Sequence, residues 1–170
     1  MSFREISPEK FDYSPFRLIG KDYLLITTPD GSKSSGANAM TANWGGVGIL
    51  WSKPVATVYV RPQRYSYGLC ERSDRFSLCV LPEQYREALK ICGTRSGRDT
   101  DKLKDCSLSC TEIDGVKVIE QSKVAMLCRK LYADDIKKEK FIDEEPLKNY
   151  RANDFHRFYI LEIEKILVSN

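Results

Sequence analysis

Residues 38–64 read NAMTANWGGVGILWSKPVATVYVRPQR. The run 55–60, VATVYV, is apolar on both faces, which predicts a central strand covered on both sides. Polar residues and tryptophans come before it, and Arg61 and Arg64 follow directly. Glycines in the first half lack a Cβ, so backbone there can approach a ring closely. Forked guanidinium donors after the strand suit phosphate oxygens. The stretch fits a flat aromatic ligand carrying a phosphate, presented at a strand end.

Outward from this stretch the chain reads as strands. Residues 23–28, YLLITT, form a strand closed by Pro29-Asp30-Gly31, and 31–36 is a polar loop. Residues 40–44 and 47–51 are extended, and 76–81, FSLCVL, is a buried strand. Asp114-Gly115 marks a hairpin between 109–113 and 116–119. Residues 124–132 and 156–168 complete the strands, with His156 starting the last one. Helices are few. One is predicted at 65–72. A second, at 83–92, has Tyr85, Ala88, Leu89 and Cys92 on one face and Gly93 as its cap. A third is predicted at 99–105. The charged run 134–150 reads as an exposed, solvated face. Closely spaced strands with two or three helices predict a mainly β barrel or sandwich.

The chain has 170 residues, a length that fits one domain. It carries 27 Lys and Arg against 24 acidic residues, a net charge of +3. That balance is too mild to call for nucleic acid or a membrane surface. No apolar run is long enough to span a bilayer, and residues 1–15 lack a signal-peptide core. The six cysteines match no disulfide framework, so reduced thiols and a cytoplasmic location are expected. Cys106 and Cys110 are close, but the single histidine, His156, is remote in sequence, and no metal site is expected.

Three constellations could carry chemistry. In the first, Thr41 and Asn43 can meet the polar edge of a ring, and Met40 or Trp44 can wall its face. The alternative is a loop entering a core strand, with Trp44 as packing. In the second, Arg61, Arg64 and Ser66 can hold a phosphate dianion; the alternative is a solvated turn. The third is Ser96-Gly97-Arg98-Asp99 before the short helix. Free N–H groups at a helix start favour anions, with Arg98 and Lys102 adding charge. Asp99 would also serve there as a plain N-cap. His156 is a candidate catalytic residue or a locally bonded packing group.

Residues 38–67 and 87–104, together with 154–165 (DFHRFYILEIEK), resemble the flavin reductase-like family, especially its flavoredoxin branch. The resemblance implies an FMN-binding split barrel, a Greek-key β-barrel with a few flanking helices, spanning residues 1–170 as a single domain and working as a homodimer. It implies non-covalent FMN rather than FAD. Carried onto this chain, Asn38, Met40, Thr41, Ala42, Asn43 and Trp44 would line the ring. Arg61, Gln63, Arg64, Tyr65 and Ser66 would approach the ribityl chain and phosphate. Ser96, Gly97, Arg98, Asp99 and Lys102 would close the site, with His156 near the ring.

The implied activity is a flavin-dependent oxidoreductase of the NAD(P)H:flavin reductase type. NADH or NADPH would bind transiently, because the chain has no Gly-x-Gly-x-x-Gly fingerprint. The flavin would do the electron chemistry, and the protein would bind and orient it. The alternative is an electron carrier reduced by a redox partner protein, or a reductase that hands flavin to an accepting enzyme. A barrel binding single-stranded nucleic acid is disfavoured by the weak net charge and the acidity of 134–145.

Overall fold

A computed structural model describes residues 2–170. The strands are β1 (Phe3–Ile6), β2 (Leu24–Pro29), β3 (Ala37–Ala42), β4 (Gly45–Leu50), β5 (Lys53–Val60), β6 (Arg75–Val80), β7 (Cys110–Ile113), β8 (Val116–Ile119), β9 (Val124–Asp135) and β10 (Arg157–Ser169). The helices are short: α1 (Pro15–Arg17), α2 (Tyr65–Arg72), α3 (Arg86–Thr94) and α4 (Lys102–Asp105). A π-helical turn, Leu18–Asp22, continues α1.

One antiparallel sheet runs β3-β2-β6-β9-β10-β5-β4, and β1 adds to the far half of β10. Strand β10 is the organiser. Its first half pairs with β5 (Arg157↔Val60 to Glu162↔Val55), and its second half pairs with β1. Strand β9 runs beside almost all of it, with register shifts after Ile160 and Ile163. Side chains from both ends of the sheet meet in one core: Met40 and Ala42 of β3 with Ala56 and Val58 of β5. A flat sheet cannot do that, so this one curls into a barrel. The molecule is mainly β, as expected.

Alternation along the strands divides the interior in two. Leu24, Ile26, Phe76, Leu78, Met126 and Cys128 face the barrel core. Leu25, Cys79, Ala125 and Leu127 face outward, under α3 and the β7–β8 hairpin. That double burial explains why β2, β6 and β9 read as continuous apolar runs. Strand β5 departs from the expectation: Thr57 and Tyr59 are only partly buried, so its outer face is not fully covered.

Two tight turns show different chemistry. Asp114 and Gly115 both take positive φ (49° and 76°), the backbone of a type I′ hairpin with favoured residues. The β4–β5 hairpin needs the same backbone, yet places Trp51 (φ 52°) and Ser52 (φ 55°) there. Trp51 therefore sits in the turn rather than extending 47–51 as a strand. Gly93 lies inside α3, and the helix closes at Arg95 with ordinary negative φ. It is not a left-handed cap: a Cβ there would lie 3.4 Å from Thr41 Cβ, so Gly93 marks where α3 meets β3. The predicted helix 99–105 shortens to α4, capped by Asp101 and not Asp99. The run 134–150 is more than a solvated face. It holds the end of β9 and two 3-10 turns, Lys138–Lys140 and Glu145–Asn149, and it ends on Tyr150, which is 7% exposed. His156 precedes β10 instead of lying in it.

Candidate functional site

The site forms where the C-terminal ends of β3 and β5 meet the start of β10, beneath the end of α3. Antiparallel pairing fixes this meeting, because Val60 lies opposite Arg157. Residues just past β3 (Asn43, Trp44), just past β5 (Arg61, Arg64) and just before β10 (His156) are thereby gathered around one cavity of about 300 Å³. Met40, Thr41, Tyr59 and Gly93 complete its wall. A second cavity, of about 110 Å³, adjoins it. Its wall comes from the turn into α2 (Gln63, Tyr65, Ser66) and from the loop after α3 (Thr94 to Arg98), with Lys102 of α4. Arg64 lines both cavities.

The small cavity is cationic. Lys102 is 4% exposed, and its ammonium has one recorded hydrogen bond, to the Cys92 carbonyl at 3.4 Å. Burial pushes its pKa down to about 8, and the Arg64 charge acts in the same direction. Arg64 is itself lowered by burial, and it donates to the Gly93 carbonyl at 2.8 Å. Arg98 donates to the Gln63 carbonyl (3.2 Å), and its guanidinium lies over the Tyr65 ring at 5.7 Å. Buried like charges without a counter-ion are costly, so the chemistry of this donor set asks for an anion.

Gly97 has a strict role in that wall. A Cβ there would lie 2.4 Å from Asn38 Oδ1 and 2.4 Å from Tyr65 Cδ1. Asn38 is held in place by donating to Ser66 Oγ at 2.8 Å. Asp99 is on neither wall; its N–H closes a turn onto the Ser96 carbonyl. The argument from a helix start also changes. The carboxylate of Asp101 already accepts from Lys104 N–H and from Ser34 and Ser35, so α4 offers no free anion site.

The larger cavity is walled by aromatic rings, with Arg61 and Arg64 at its edge. His156 lies 5.0 Å from the Trp44 ring and edge-on to Tyr59. Its Nδ1 shares a 3.0 Å hydrogen bond with Tyr150 Oη. Burial, then the Arg61 charge, push its pKa down to about 4, so it is neutral at pH 7. Arg61 turns toward this cavity and is already bonded, to the Asp154 carboxylate and the Asn149 carbonyl (2.9 Å), above the Tyr150 ring. Gln63 also donates to Asp154, at 2.7 Å. Both arginines line this cavity, and only Arg64 also reaches the small cationic one. Thr41 Oγ1 donates to the Leu89 carbonyl at 2.5 Å, and Ala42 points into the barrel core.

Asn38 and Ala42 thus stand behind the cavities, while Met40, Thr41, Asn43, Trp44, Arg64, Tyr65, Ser66, Ser96, Gly97, Arg98 and Lys102 border them. Gly93, Thr94 and Arg95, which open the polar stretch 93–99, also line the walls, and the residue the sequence reading misses there is Tyr59, with Tyr150 and Asp154 as partners behind it. Tyr59 could have been found from strand alternation past Val58. Nothing local to 149–154 signals its docking on Arg61. Cys92 lies behind this wall with its thiol pushed up to about 12 by burial, which leaves it little nucleophilic character. All six cysteines are free. Among the described residues no cluster could hold a metal, and no helix is long and apolar enough to cross a membrane.

A family model described as the flavin reductase like domain matches residues 16–170. No curated protein matches the chain in sequence. Solved structures do match in fold. An FMN-binding protein from Thermus thermophilus, with bound p-hydroxybenzaldehyde, superposes with a TM-score of 0.67 at 19% identity, over 97% of this chain and 78% of that one. Flavoredoxin of Desulfovibrio vulgaris (Miyazaki F) gives 0.68 at 17% identity, over 97% and 78%. The styrene monooxygenase flavin reductase of Pseudomonas putida S12 gives 0.64 at 14% identity, over 88% and 80%. At these identities the likeness concerns the fold.

Proposed function

This chain belongs to the flavin reductase-like family, and from that premise we propose that it is an FMN-dependent oxidoreductase, a single domain over residues 1–170 that works as a homodimer. The observation that carries this reading is the pair of adjoining cavities joined by Arg64, one cationic and the other walled by Trp44, Tyr59 and His156. That pairing suits a ligand with a phosphate at one end and a flat ring at the other. When bound, FMN supplies the electron-accepting ring.

The protein's own work is binding and orientation. Lys102, Arg64 and Arg98, with Ser66 and Ser96, would hold the phosphate, and Gly97 and Asn38 shape the wall behind it. Met40, Thr41, Asn43 and Trp44 would border the ring, and Thr41 is fixed to α3 for that task. Arg61, tethered by Asp154, which Gln63 also holds, would stand on the ring side, and Arg64 would reach the phosphate. His156 is neutral there and serves to position Trp44, not to supply a proton.

FMN is taken over FAD because the cationic cavity beside the ring side suits a terminal phosphate. Free thiols fit a reducing, cytoplasmic setting. NADH or NADPH as a transient donor and a redox partner protein as donor remain the two routes for electrons. The chain has no Gly-x-Gly-x-x-Gly fingerprint for a pyrophosphate, which favours the carrier route. Anaerobic addition of NADH or NADPH to the FMN-loaded protein distinguishes them. Bleaching of the visible band within the mixing time supports the reductase, and an unchanged band supports the carrier. A protein that binds no FMN at all contradicts both.

A further inference from the structure

A further cavity is larger than either of the two assigned above. A groove of about 690 Å³ lies along the segment from the end of β9 to Tyr150. It is walled by Trp44, Tyr59, Phe141, Ile142, Tyr150 and Phe158. Trp44 and Tyr59 also wall the ring-side cavity, so the two spaces meet across these rings. The aromatic groups are built into the fold. Tyr150 stacks on Phe155 at 4.6 Å, Phe141 packs against both, and Phe158 lies 6.2 Å from Tyr59.

The charges of the rim balance in number: two carboxylates are paired, and Asp143 and Lys140 leave one of each sign. Asp134 is paired with Lys137 at 3.3 Å, and Asp135 with Arg157 at 2.8 Å. The Asp143 carboxylate accepts from the Glu145 N–H at 2.9 Å. Nothing in this groove resembles the cationic cavity beyond Arg64. A volume in the range of small-molecule sites, apolar walls and balanced rim charges select a ligand without charge.

We propose that this groove is the site of a second substrate, an uncharged flat aromatic molecule that reaches the ring-side cavity across Trp44 and Tyr59. As a statement about a substrate, it rests on the flavin reading; as a statement about binding, it stands apart from it. The segment that reads as a solvated charged run is, on this account, what gives the site its specificity. A nicotinamide nucleotide is a poor occupant, because among three carboxylates only the Lys140 ammonium is left unpaired to meet its phosphate.

Calorimetric titration with coumarin, an uncharged flat bicycle, and with nicotinamide mononucleotide, its charged counterpart, tests this. Both are added to the apoprotein and to the FMN-saturated protein. Coumarin is expected to bind one to one in both forms, and the mononucleotide in neither. Phe141→Ser is expected to weaken coumarin by about tenfold, the scale of one lost aromatic contact. Ile142→Ser changes a fully exposed side chain that cannot disturb the core, and it is expected to weaken coumarin by a smaller factor. Neither variant should alter FMN affinity. Coumarin binding to a protein that takes no FMN would sink the flavin reading and leave the groove standing. Three results would overturn the groove: no coumarin binding, equal binding of the mononucleotide, or an oligomeric state that changes with Ile142→Ser. The last would make this face a contact between copies of the chain.

Discussion

Lys102 shows how much one residue decides. A lysine 4% exposed, with its pKa pushed down to about 8, is held in an unfavourable place in the free protein. A bound phosphate dianion relieves that. FMN affinity should therefore be flat below pH 8 and fall as pH rises above it, while riboflavin, which has no phosphate, shows no such slope. Fluorescence titrations between pH 6.5 and 9.5 check this, and parallel curves for the two ligands would refute it. The linkage for the free protein has a definite sign. Between pH 8 and about 10.5 the unfolded chain keeps a proton that the folded one has lost, so stability rises with pH across that window. His156 works similarly at lower pH. Its folded pKa of about 4 lies below the ordinary 6.5, so the unfolded chain binds an extra proton between those values. The corresponding stability is complete above pH 6.5 and is lost as pH falls through 4. Thermal melts of His156→Phe should lose that part of the acid slope. Gly97→Ala, with a Cβ 2.4 Å from Asn38 and Tyr65, should cost about 1–3 kcal/mol as overpacking and should widen or close the cationic cavity.

Elements differ in how plainly the sequence announced them. Strands β2, β6 and the first half of β9 were legible because side chains on both faces are buried, which demands β-branched and apolar runs; β5 was legible from the same kind of run although its outer face is only partly covered. The Asp114-Gly115 hairpin was legible because its φ angles favour those residues. The β4–β5 turn was not: Trp51 and Ser52 are poor residues for positive φ, and only the Leu50↔Lys53 pairing demands it. Replacing Trp51-Ser52 with Asn-Gly should stabilise the fold by about 1 kcal/mol, read as a higher denaturant midpoint with unchanged m-value. The α4 cap was misplaced by two residues because Asp99 and Asp101 look alike in sequence. They differ in partners that the fold supplies and the spacing does not: Asp101 accepts from Ser34 and Ser35 of the 31–36 loop, 67 and 66 residues away. The segment 134–150 was read as exposed because nearly all its acidic and basic residues are in fact exposed. Its aromatic minority is what docks, on Arg61 and His156.

At the scale of the whole molecule, a curled sheet brings three sequence-distant stretches to one end, and the site exists only there. That gathering was legible through the family resemblance and not through any local motif, since each stretch by itself also suits a plain turn. The same architecture leaves β4 at the sheet edge with Ile49, Leu50 and Trp51 exposed. An apolar edge strand invites a partner. If the homodimer uses it, Ile49→Lys should shift the sedimentation coefficient to that of a monomer; a wild-type protein that sediments as a monomer would remove the dimer from the account.

The central claim, that a cationic cavity around Lys102 and Arg64 grips the phosphate of a flavin nucleotide, is tested most directly by titrating FMN and riboflavin in parallel into wild type and Lys102→Met. Wild type should prefer FMN by at least about tenfold, since hydrogen bonds to charged groups contribute about 1.5–3 kcal/mol each. Lys102→Met should erase most of that preference while leaving riboflavin affinity where it was. Equal affinities for the two ligands in wild type, or a preference that survives the substitution, would contradict the account.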